Sequence, residues 1–576
     1  MNLMKFAKSI LWTIFPPERP VERMIRTQYH RITATDWYVR RTLRQSAASY
    51  NKWLKYQAQQ LNALNNPLNT PLFTFIILNN AAEQLKGTLH SIQAQLGENN
   101  EVLLVSPEPV PGLASARGLV EAVAQSRGEW VICCAAGDQF DEHSLQQFRM
   151  AIDQHPQTNV LYADSSTRAS GKGQETPFFK PSGYSPELLL SVNYLTRAAI
   201  KKEAALQALH QVHAGFEFFN QERELLLLLS EGPSKPVHIA YTLVHQVECE
   251  SSSIEANTLL RDHLLRLGYP TSITVEGSPE SHVAWQFGSP SVSIIIPTRN
   301  SFSVLKTLLD SLFVLTDYPN FEVILVDNGS TQPEVLAYYE ELQKSKPVRI
   351  VPYNAAFNYS HANNLGAANS QADYLLFLNN DMQVIHSNWL SELVMWASQP
   401  DIGVVGTKLL HANNSIQHAG VVLGLQNFVG HLYLNTPEHY HGLLGSVDWY
   451  RNVSAVTGAC QMMRRSTFNE LGGFDEAYTL VFSDVALCLA AISKGFRVLY
   501  NPHACLYHLE GGSRGYKSPR PDMLRGFDLL QEWVIHDDPY FSPNLTYTTI
   551  PACQLEYQDA ETRLAVINER RKFLLK

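Results

Sequence analysis

Apolar and polar positions along this chain fall into two alternating kinds of segment. Short, continuous apolar runs end in turn residues, and longer stretches of helical period separate them. FTFIIL (Phe73 to Leu78), EVLLV (Glu101 to Val105) and WVICC (from Trp130) predict strands, and EQLKGTLHSIQAQL (Glu83 to Leu96) predicts a helix. Strands alternating with helices predict an α/β domain with a mostly parallel sheet. LLLLL (Leu225 to Leu229) predicts a buried helix. Residues 1–65 have helical character and end in the turn-rich NNPLNTP (Asn65 to Pro71).

The pattern then repeats. SVSIIIP (Ser291 to Pro297) predicts a strand, SVLKTLLDSLFVL (Ser303 to Leu315) an amphipathic helix, and FEVILVD (Phe321 to Asp327) and DYLLFL (Asp373 to Leu378) further strands. FTFIILNN matches VSIIIPTRN, NNEVLLVSPEP matches NFEVILVDNGS, and RGEWVICCAAGD matches QADYLLFLNND. The order is kept at an offset of roughly 220–245 residues, which predicts duplication of a whole domain. The expected organisation is a basic helical extension over 1–70, one α/β domain over 71–285, a second over 289–530, and a helical or irregular tail over 531–576. The junction is expected in the Gly/Ser/Pro-containing stretch Gly277 to Ser289.

Composition narrows this picture. A chain of 576 residues is too long for one ordinary domain, and 45% hydrophobic with 17% charged residues is globular. A net charge of −9 argues against nucleic acid as the partner. Seven cysteines without a CxxC pair predict reduced, buried thiols in a cytoplasmic protein. No apolar run approaches the roughly 20 residues of a membrane span. The apolar part of SILWTIF (Ser9 to Phe15) is short, and Pro16 and Pro17 follow it, so a signal peptide is rejected. Residues 1–60 carry eleven Lys/Arg against three Asp/Glu, with Trp12, Phe15 and Trp37 among them. Two expectations stand for this segment: a helix packed on the first domain, or peripheral contact with the anionic inner face of the cell membrane.

Candidate chemistry lies at the strand ends of the second copy, because open α/β sheets bind ligands beyond their carboxyl edges. One strand ends in Pro297, Thr298, Arg299 and Asn300, the next in Asp327, Asn328, Gly329 and Ser330, and the third in Asn379, Asn380 and Asp381. No Gly-rich dinucleotide fingerprint or phosphate-loop lysine follows any of them. Carboxylates with few fixed cations can hold a diphosphate through a hard divalent metal. The equivalent end in the first copy reads Ala135, Ala136 and Gly137, with Asp138 beside them, and Ser106 stands where the second copy has Asp327. Ala and Gly cannot bind a metal, so the first copy is expected to be non-catalytic.

PTRN, VDNGS, NND, AVTGACQMMRR (Ala455 to Arg465), GGFDE (Gly472 to Glu476), FSDVALCLA and LYHLEGGSRG occur in the order of the inverting glycosyltransferases of family 2, and residues 290–530 resemble that family. FKPSGYSPELLLSVNYL (Phe179 to Leu195) resembles the amino-terminal domain of two-domain bacterial members, of rhamnosyl and O-antigen type, that build surface polysaccharides. The resemblance implies two tandem GT-A domains, Rossmann-like α/β units, with a nucleotide-sugar donor (UDP-, dTDP- or GDP-linked) and a glycan or lipid-linked acceptor. It places Pro297, Thr298, Arg299, Asn300 and Asp327 around the nucleotide, with Asn364, Asn379 and Asn380 near the sugar and phosphates. It makes Asp381 and His508 ligands of Mn²⁺ or Mg²⁺, and Asp484 the general base. The family's usual second aspartate and nearby arginine are Ala486 and Ala490 here. That departure supports a second expectation, an inactive scaffold or glycan-binding protein of polysaccharide assembly. At the start of a short helix, Asp484 could also serve only as a cap.

Overall fold

The computed structural model describes residues 35–62, 73–79, 82–93, 101–106, 112–168, 175–249, 252–277, 281–509, 518–548 and 559–575, with residues 95, 110, 555 and 556. The basic segment before residue 35, the turn Asn65 to Pro71, and all of EGGSRG lie outside the described residues.

The apolar runs become the middle of two mixed sheets. The first holds β1 (Phe73–Leu78), β2 (Glu101–Val105), β3 (Ala114–Ala116), β4 (Trp130–Ala135), β5 (Gln139–Phe140), β6 (Val160–Arg168), β7 (Thr176–Phe178), β8 (Ala199–Lys201) and β9 (Val237–Val247). The second holds β10 (Val292–Thr298), β11 (Phe321–Asp327), β12 (Val348–Pro352), β13 (Tyr374–Leu378), β14 (Met382–Val384), β15 (Ile402–Leu410), β16 (Ile416–His418), β17 (Cys460–Arg464) and β18 (Arg497–His508). The spatial order of the first sheet is β3-β2-β1-β4-β8-β6-β9-β5, with β7 beside β6. That of the second is β12-β11-β10-β13-β17-β15-β18-β14, with β16 beside β15 and a tenth, short strand, Arg451–Asn452, beside β18. Each strand of the first sheet therefore has its counterpart nine strands later, which is what a duplicated domain leaves behind.

Only part of each sheet is parallel. The strands β12, β11, β10 and β13 run parallel, and β13 then meets β17 antiparallel. The buried parallel strands are the ones whose continuous Val/Ile/Leu content stands out in the sequence. The antiparallel ones, such as β17 and the short β14, depend on pairing between distant segments, and local periodicity does not report that.

The two halves share one core. A single cluster of buried side chains runs from Ile76, Leu119 and Val131 through Leu225 and Leu260 to Ile294, Leu376 and Trp396. The helix Phe218–Glu231 buries Leu225, Leu226, Leu227 and Leu229. Polar contacts cross the same boundary. Arg497 pairs with Glu187 at 2.7 Å, and Asn452 with Ser185 at 2.9 Å. The stretch expected as a linker contains the second strand of a hairpin, Thr274–Glu276 with His282–Ala284. Val283 and Trp285 are buried there, and Trp285 meets Trp396 edge-on at 5.1 Å. Apolar burial holds this junction against the second sheet.

The helix Asp36–Asn62 is docked over its second half. Trp53 is buried with its ring edge-on to Phe179 at 6.3 Å, and Gln57 brackets Thr242 by accepting from its N–H and donating to its carbonyl. Trp37, Arg40 and Arg41 on the first half are exposed. The carboxy-terminal segment is a clasp. Phe541, Leu545 and Tyr547 are buried, Asn544 reaches Asp164 of the first sheet at 3.0 Å, and the helix Ala560–Leu575 returns to the helix Arg520–Val534. No helix among the described residues is long and apolar enough to cross a membrane.

Candidate active site

The carboxyl ends of β10, β11 and β13 are neighbours because β10 pairs with both others in parallel register. Thr298 stands opposite Asp327, and its Oγ1 accepts from the Asn380 side chain at 3.2 Å. Three of the expected residues thus meet at one point. Pro297 is half-buried, and Arg299 is exposed beside them.

Asp327 and Asn300 are engaged within the turns. The Asp327 carboxylate accepts from the Ser330 N–H at 3.0 Å, the Ser330 hydroxyl at 2.5 Å and the Tyr339 hydroxyl at 3.1 Å. Gly329 has φ +73°, the left-handed geometry that an Asp-Asn-Gly turn requires. The Asn300 side-chain oxygen accepts from the N–H groups of Thr331 and Gln332, at the start of the helix Pro333–Ser345. Asn300 itself has φ +51°, which Asn tolerates better than most residues. These bonds tie the β11 end to the turn that follows β10.

Asn379, Asn380 and Asp381 follow β13, and the chain turns directly into β14. There Met382 pairs antiparallel with His508, and the Leu509 N–H donates to the Asp381 carbonyl at 2.9 Å. This ladder brings two residues 127 positions apart in sequence together: His508 Nε2 lies 3.2 Å from Asp381 Oδ1. The other ring nitrogen, Nδ1, is buried and makes no hydrogen bond among the described residues.

Asp484 reaches the same place from the other side. It begins the helix Ser483–Ser493, after Phe482 at φ +73°. Its Oδ2 accepts from the Gly458 N–H at 2.8 Å, and its Oδ1 from the Val485 N–H at 2.9 Å. The next residue of that turn, Ala459, accepts from the Asn379 N–H at 2.9 Å. Asp484 and the Asn379–Asp381 stretch therefore grip adjacent residues of the turn Thr457–Gly458–Ala459. Only glycine fits at 458, because a Cβ there would lie 2.6 Å from the Tyr359 hydroxyl and 3.3 Å from the Asp484 Cβ. Asp484 is not the cap residue, which is Phe482; it is the second residue of the helix, and its carboxylate ties the helix start to the Gly458 turn.

Asn364 goes elsewhere. Its side chain accepts from the Phe474 N–H at 2.9 Å and donates to the Phe474 carbonyl and to Glu476. His361 also reaches Glu476 at 2.9 Å, so the helix Tyr359–Ala368 pins the GGFDE segment. Ala486 is half-buried against the core and Ala490 half-buried on the same helix, and neither position supplies charge. The sequence offered no role for His418 and His431, which the fold brings into ring contact.

Residues 293–472, which include the three strand ends and the Gly458 turn, match the family description Glycosyl transferase family 2. The chain carries a family 2 glycosyl transferase domain. The O-antigen biosynthesis protein RfbC of Myxococcus xanthus is 35% identical over 467 residues, covering 78% of this chain and 36% of that protein. The O-antigen chain rhamnosyltransferase RfbN of Salmonella typhimurium is 29% identical over 255 residues, covering 43% of this chain and 75% of that one. The chain thus spans little more than a third of the length of RfbC. Among solved structures, the mannosyltransferase PcManGT from Pyrobaculum calidifontis, in complex with GDP-Man and Mn²⁺, covers 55% of this chain and 80% of its own, at 14% identity and a TM-score of 0.32.

Outside the family 2 match, the first sheet has the same strand ends with different contents. Ala135 and Ala136 are buried, and Gly137 has φ +110°. Asp138 is fully buried. It accepts from the N–H groups of Ala135 and Val247 and pairs with Arg197 at 2.7 Å. His245 pairs with the first residue of β5, as His508 pairs with the first residue of β14, but its ring turns to Ser166 and Glu175. A guanidinium and backbone amides already satisfy this carboxylate.

Proposed function

We propose that the chain is an inverting, metal-dependent glycosyltransferase. It moves a sugar from a UDP-, dTDP- or GDP-sugar to a bacterial surface glycan or lipid-linked precursor. The chemistry resides in residues 289–530, and the first domain supports them without reacting. The observation that carries this reading is the strand pairing that sets Asp381 against His508 at the end of β13, one turn away from Asp484.

The residues present fit a hard divalent cation. Asp381 offers carboxylate oxygen, and His508 offers nitrogen from a ring whose Nδ1 is buried without a hydrogen-bond partner among the described residues. Among the described residues no group of three or more His, Cys, Asp or Glu is placed to hold a metal. The rest of the shell would be diphosphate oxygens and water, which is how Mg²⁺ and Mn²⁺ usually bind beside one or two carboxylates. When bound, the cation supplies charge neutralisation for the departing diphosphate.

The chain's own residues do the rest. Asn380 and Thr298 set the floor of the donor site, and Asp327 with its turn holds the nucleotide end. Asp484 takes the proton from the acceptor hydroxyl as its oxygen bonds to the anomeric carbon and the bond to the diphosphate oxygen breaks. One such base is enough for inversion. The transition state is expected to carry positive charge on the sugar as the bond to the diphosphate breaks.

The test is donor hydrolysis or transfer by the full chain, with UDP-, dTDP- and GDP-sugars, with Mn²⁺ and with EDTA. Turnover of one donor class that needs Mn²⁺ is expected. Tight donor binding without turnover would favour a glycan-organising scaffold instead, the reading that Ala486 and Ala490 support. Peripheral membrane contact through residues 1–60 belongs to the same proposal, because the docked helix leaves Trp37, Arg40 and Arg41 facing outward. Sedimentation with anionic vesicles checks it, and equal recovery with neutral vesicles would sink it.

A further inference from the structure

His418, which is buried, and His431, which is half-buried, form a polar pair that the proposed mechanism leaves unused. His418 is the last residue of β16 and is fully buried. His431 ends the hairpin strand Val429–His431, which pairs with Val421–Leu423. Val421 also donates to the carbonyl of Ala455, two residues before the turn that Asp484 grips. The hairpin is thus stitched to the active-site turn.

The hydrogen bonds around the pair leave one arrangement of protons. Nε2 of His418 accepts from two backbone N–H groups, Gly420 at 3.3 Å and Thr457 at 3.4 Å. A backbone N–H can only donate, so this nitrogen carries the lone pair. Burial holds the His418 ring neutral, its pKa well below the usual histidine range, with His431 and His508 adding to the effect. Its proton is therefore on Nδ1. That N–H faces Nδ1 of His431 at 2.8 Å, with the rings at 81°. His431 must accept there, and burial, with His508 and His411, brings its pKa down to about 4. A neutral ring that accepts at Nδ1 carries its proton on Nε2. Two backbone amides thus set the tautomer of a histidine two links away.

His418 faces the side of the sheet that carries His508. Leu409 of β15 stands opposite both His418 of β16 and Leu506 of β18. Opposed residues face the same side of a sheet, and so does His508, two residues beyond Leu506. The electrostatic influence of His508 on both rings agrees with that placement. His431 is partly exposed, and among the described residues none accepts a hydrogen bond from its Nε2.

We propose that His431 is a substrate-binding residue of the second domain: its Nε2–H donates to an oxygen of the nucleotide sugar beside Asp381 and His508, and His418 is the residue that positions it. This rests on the glycosyltransferase reading. A neutral donor suits this place, because it can hold an oxygen of the substrate without setting a second positive charge beside a metal-bound diphosphate.

Two measurements on the full chain test it. Nitrogen-15 spectra of histidine-labelled protein should show His418 protonated at Nδ1 and His431 at Nε2; a His431 protonated at Nδ1 would overturn the proposal. Calorimetric titration with UDP, dTDP and GDP, and with their sugars, in Mn²⁺ gives the second readout. His431→Phe should weaken the bound ligand about tenfold, and His431→Gln, which keeps an N–H donor, about threefold or less. Weakening of the diphosphate and its sugar alike assigns a phosphate oxygen, and weakening of only the intact nucleotide sugar assigns a sugar hydroxyl. Unchanged affinity in His431→Phe overturns this inference and leaves the glycosyltransferase reading standing. No binding of any nucleotide by the unaltered chain overturns both.

Discussion

Asp484→Asn should abolish nearly all sugar transfer while leaving the protein folded and its donor bound. A positioned general base contributes about 10² to 10⁴ in rate, so a loss of about 10³ is expected, or roughly 4 kcal/mol on the barrier. The substitution keeps one oxygen to accept from the Gly458 N–H and gives up the bond from the Val485 N–H, so the turn survives at a modest cost in stability. That separates the two roles open to this residue. A residue that only ties down the helix start would lose about 0.5 to 2 kcal/mol of stability and little rate. Full transfer activity in Asp484→Asn would remove Asp484 from the chemistry.

Asp381→Ala should cost at least about 10² in transfer rate and remove the response to Mn²⁺, since charge stabilisation by a bound metal is worth several kcal/mol. The fold tolerates the change: the hydrogen bond from Leu509 goes to the Asp381 main-chain carbonyl, and β14 still pairs with β18. His508→Ala should have the same character at smaller size, about tenfold, with the Mn²⁺ concentration for half-activity raised. A protein whose Mn²⁺ dependence survives Asp381→Ala holds its metal somewhere else. The corresponding change in the first sheet, Asp138→Ala, acts differently. It leaves the buried Arg197 guanidinium with only Glu222 as an ion-pair partner among the described residues, at 3.9 Å, and should cost stability rather than metal response.

The sequence carried the strands β1, β2, β4, β10, β11 and β13 plainly, because a buried parallel strand is a continuous apolar run with turn residues at its end. It carried the duplication for the same reason. The pairing of β14 with β18 was not legible in that way. Register between segments more than a hundred residues apart leaves no local period, so the meeting of Asp381 and His508 could be expected only from resemblance. The hairpin Thr274–Glu276 with His282–Ala284 has the small residues of a linker, and only the burial of Val283 and Trp285 shows that it is packed. The carboxy-terminal clasp has the same explanation, since Asn544 and Tyr547 find partners far away in sequence. At the site, the bonds from Ser330 to Asp327 are those of an ordinary Asp-Asn-Gly turn, and the nucleotide-binding role proposed for Asp327 falls on the same residue. Asn364 shows the opposite, a polar residue in a family-like segment that the fold spends on holding Phe474 and Glu476.

Under the proposed function one of the two duplicated domains reacts and the other does not: Asp381, beside His508, would receive a metal and a diphosphate, whereas Asp138 is fully buried against Arg197. Calorimetric titration of the full chain with UDP, dTDP and GDP in Mn²⁺ tests it most directly. One of the three diphosphates should bind with a stoichiometry of one per chain, and Asp381→Ala should abolish the binding. A stoichiometry of two, or undiminished binding in Asp381→Ala, would contradict the account.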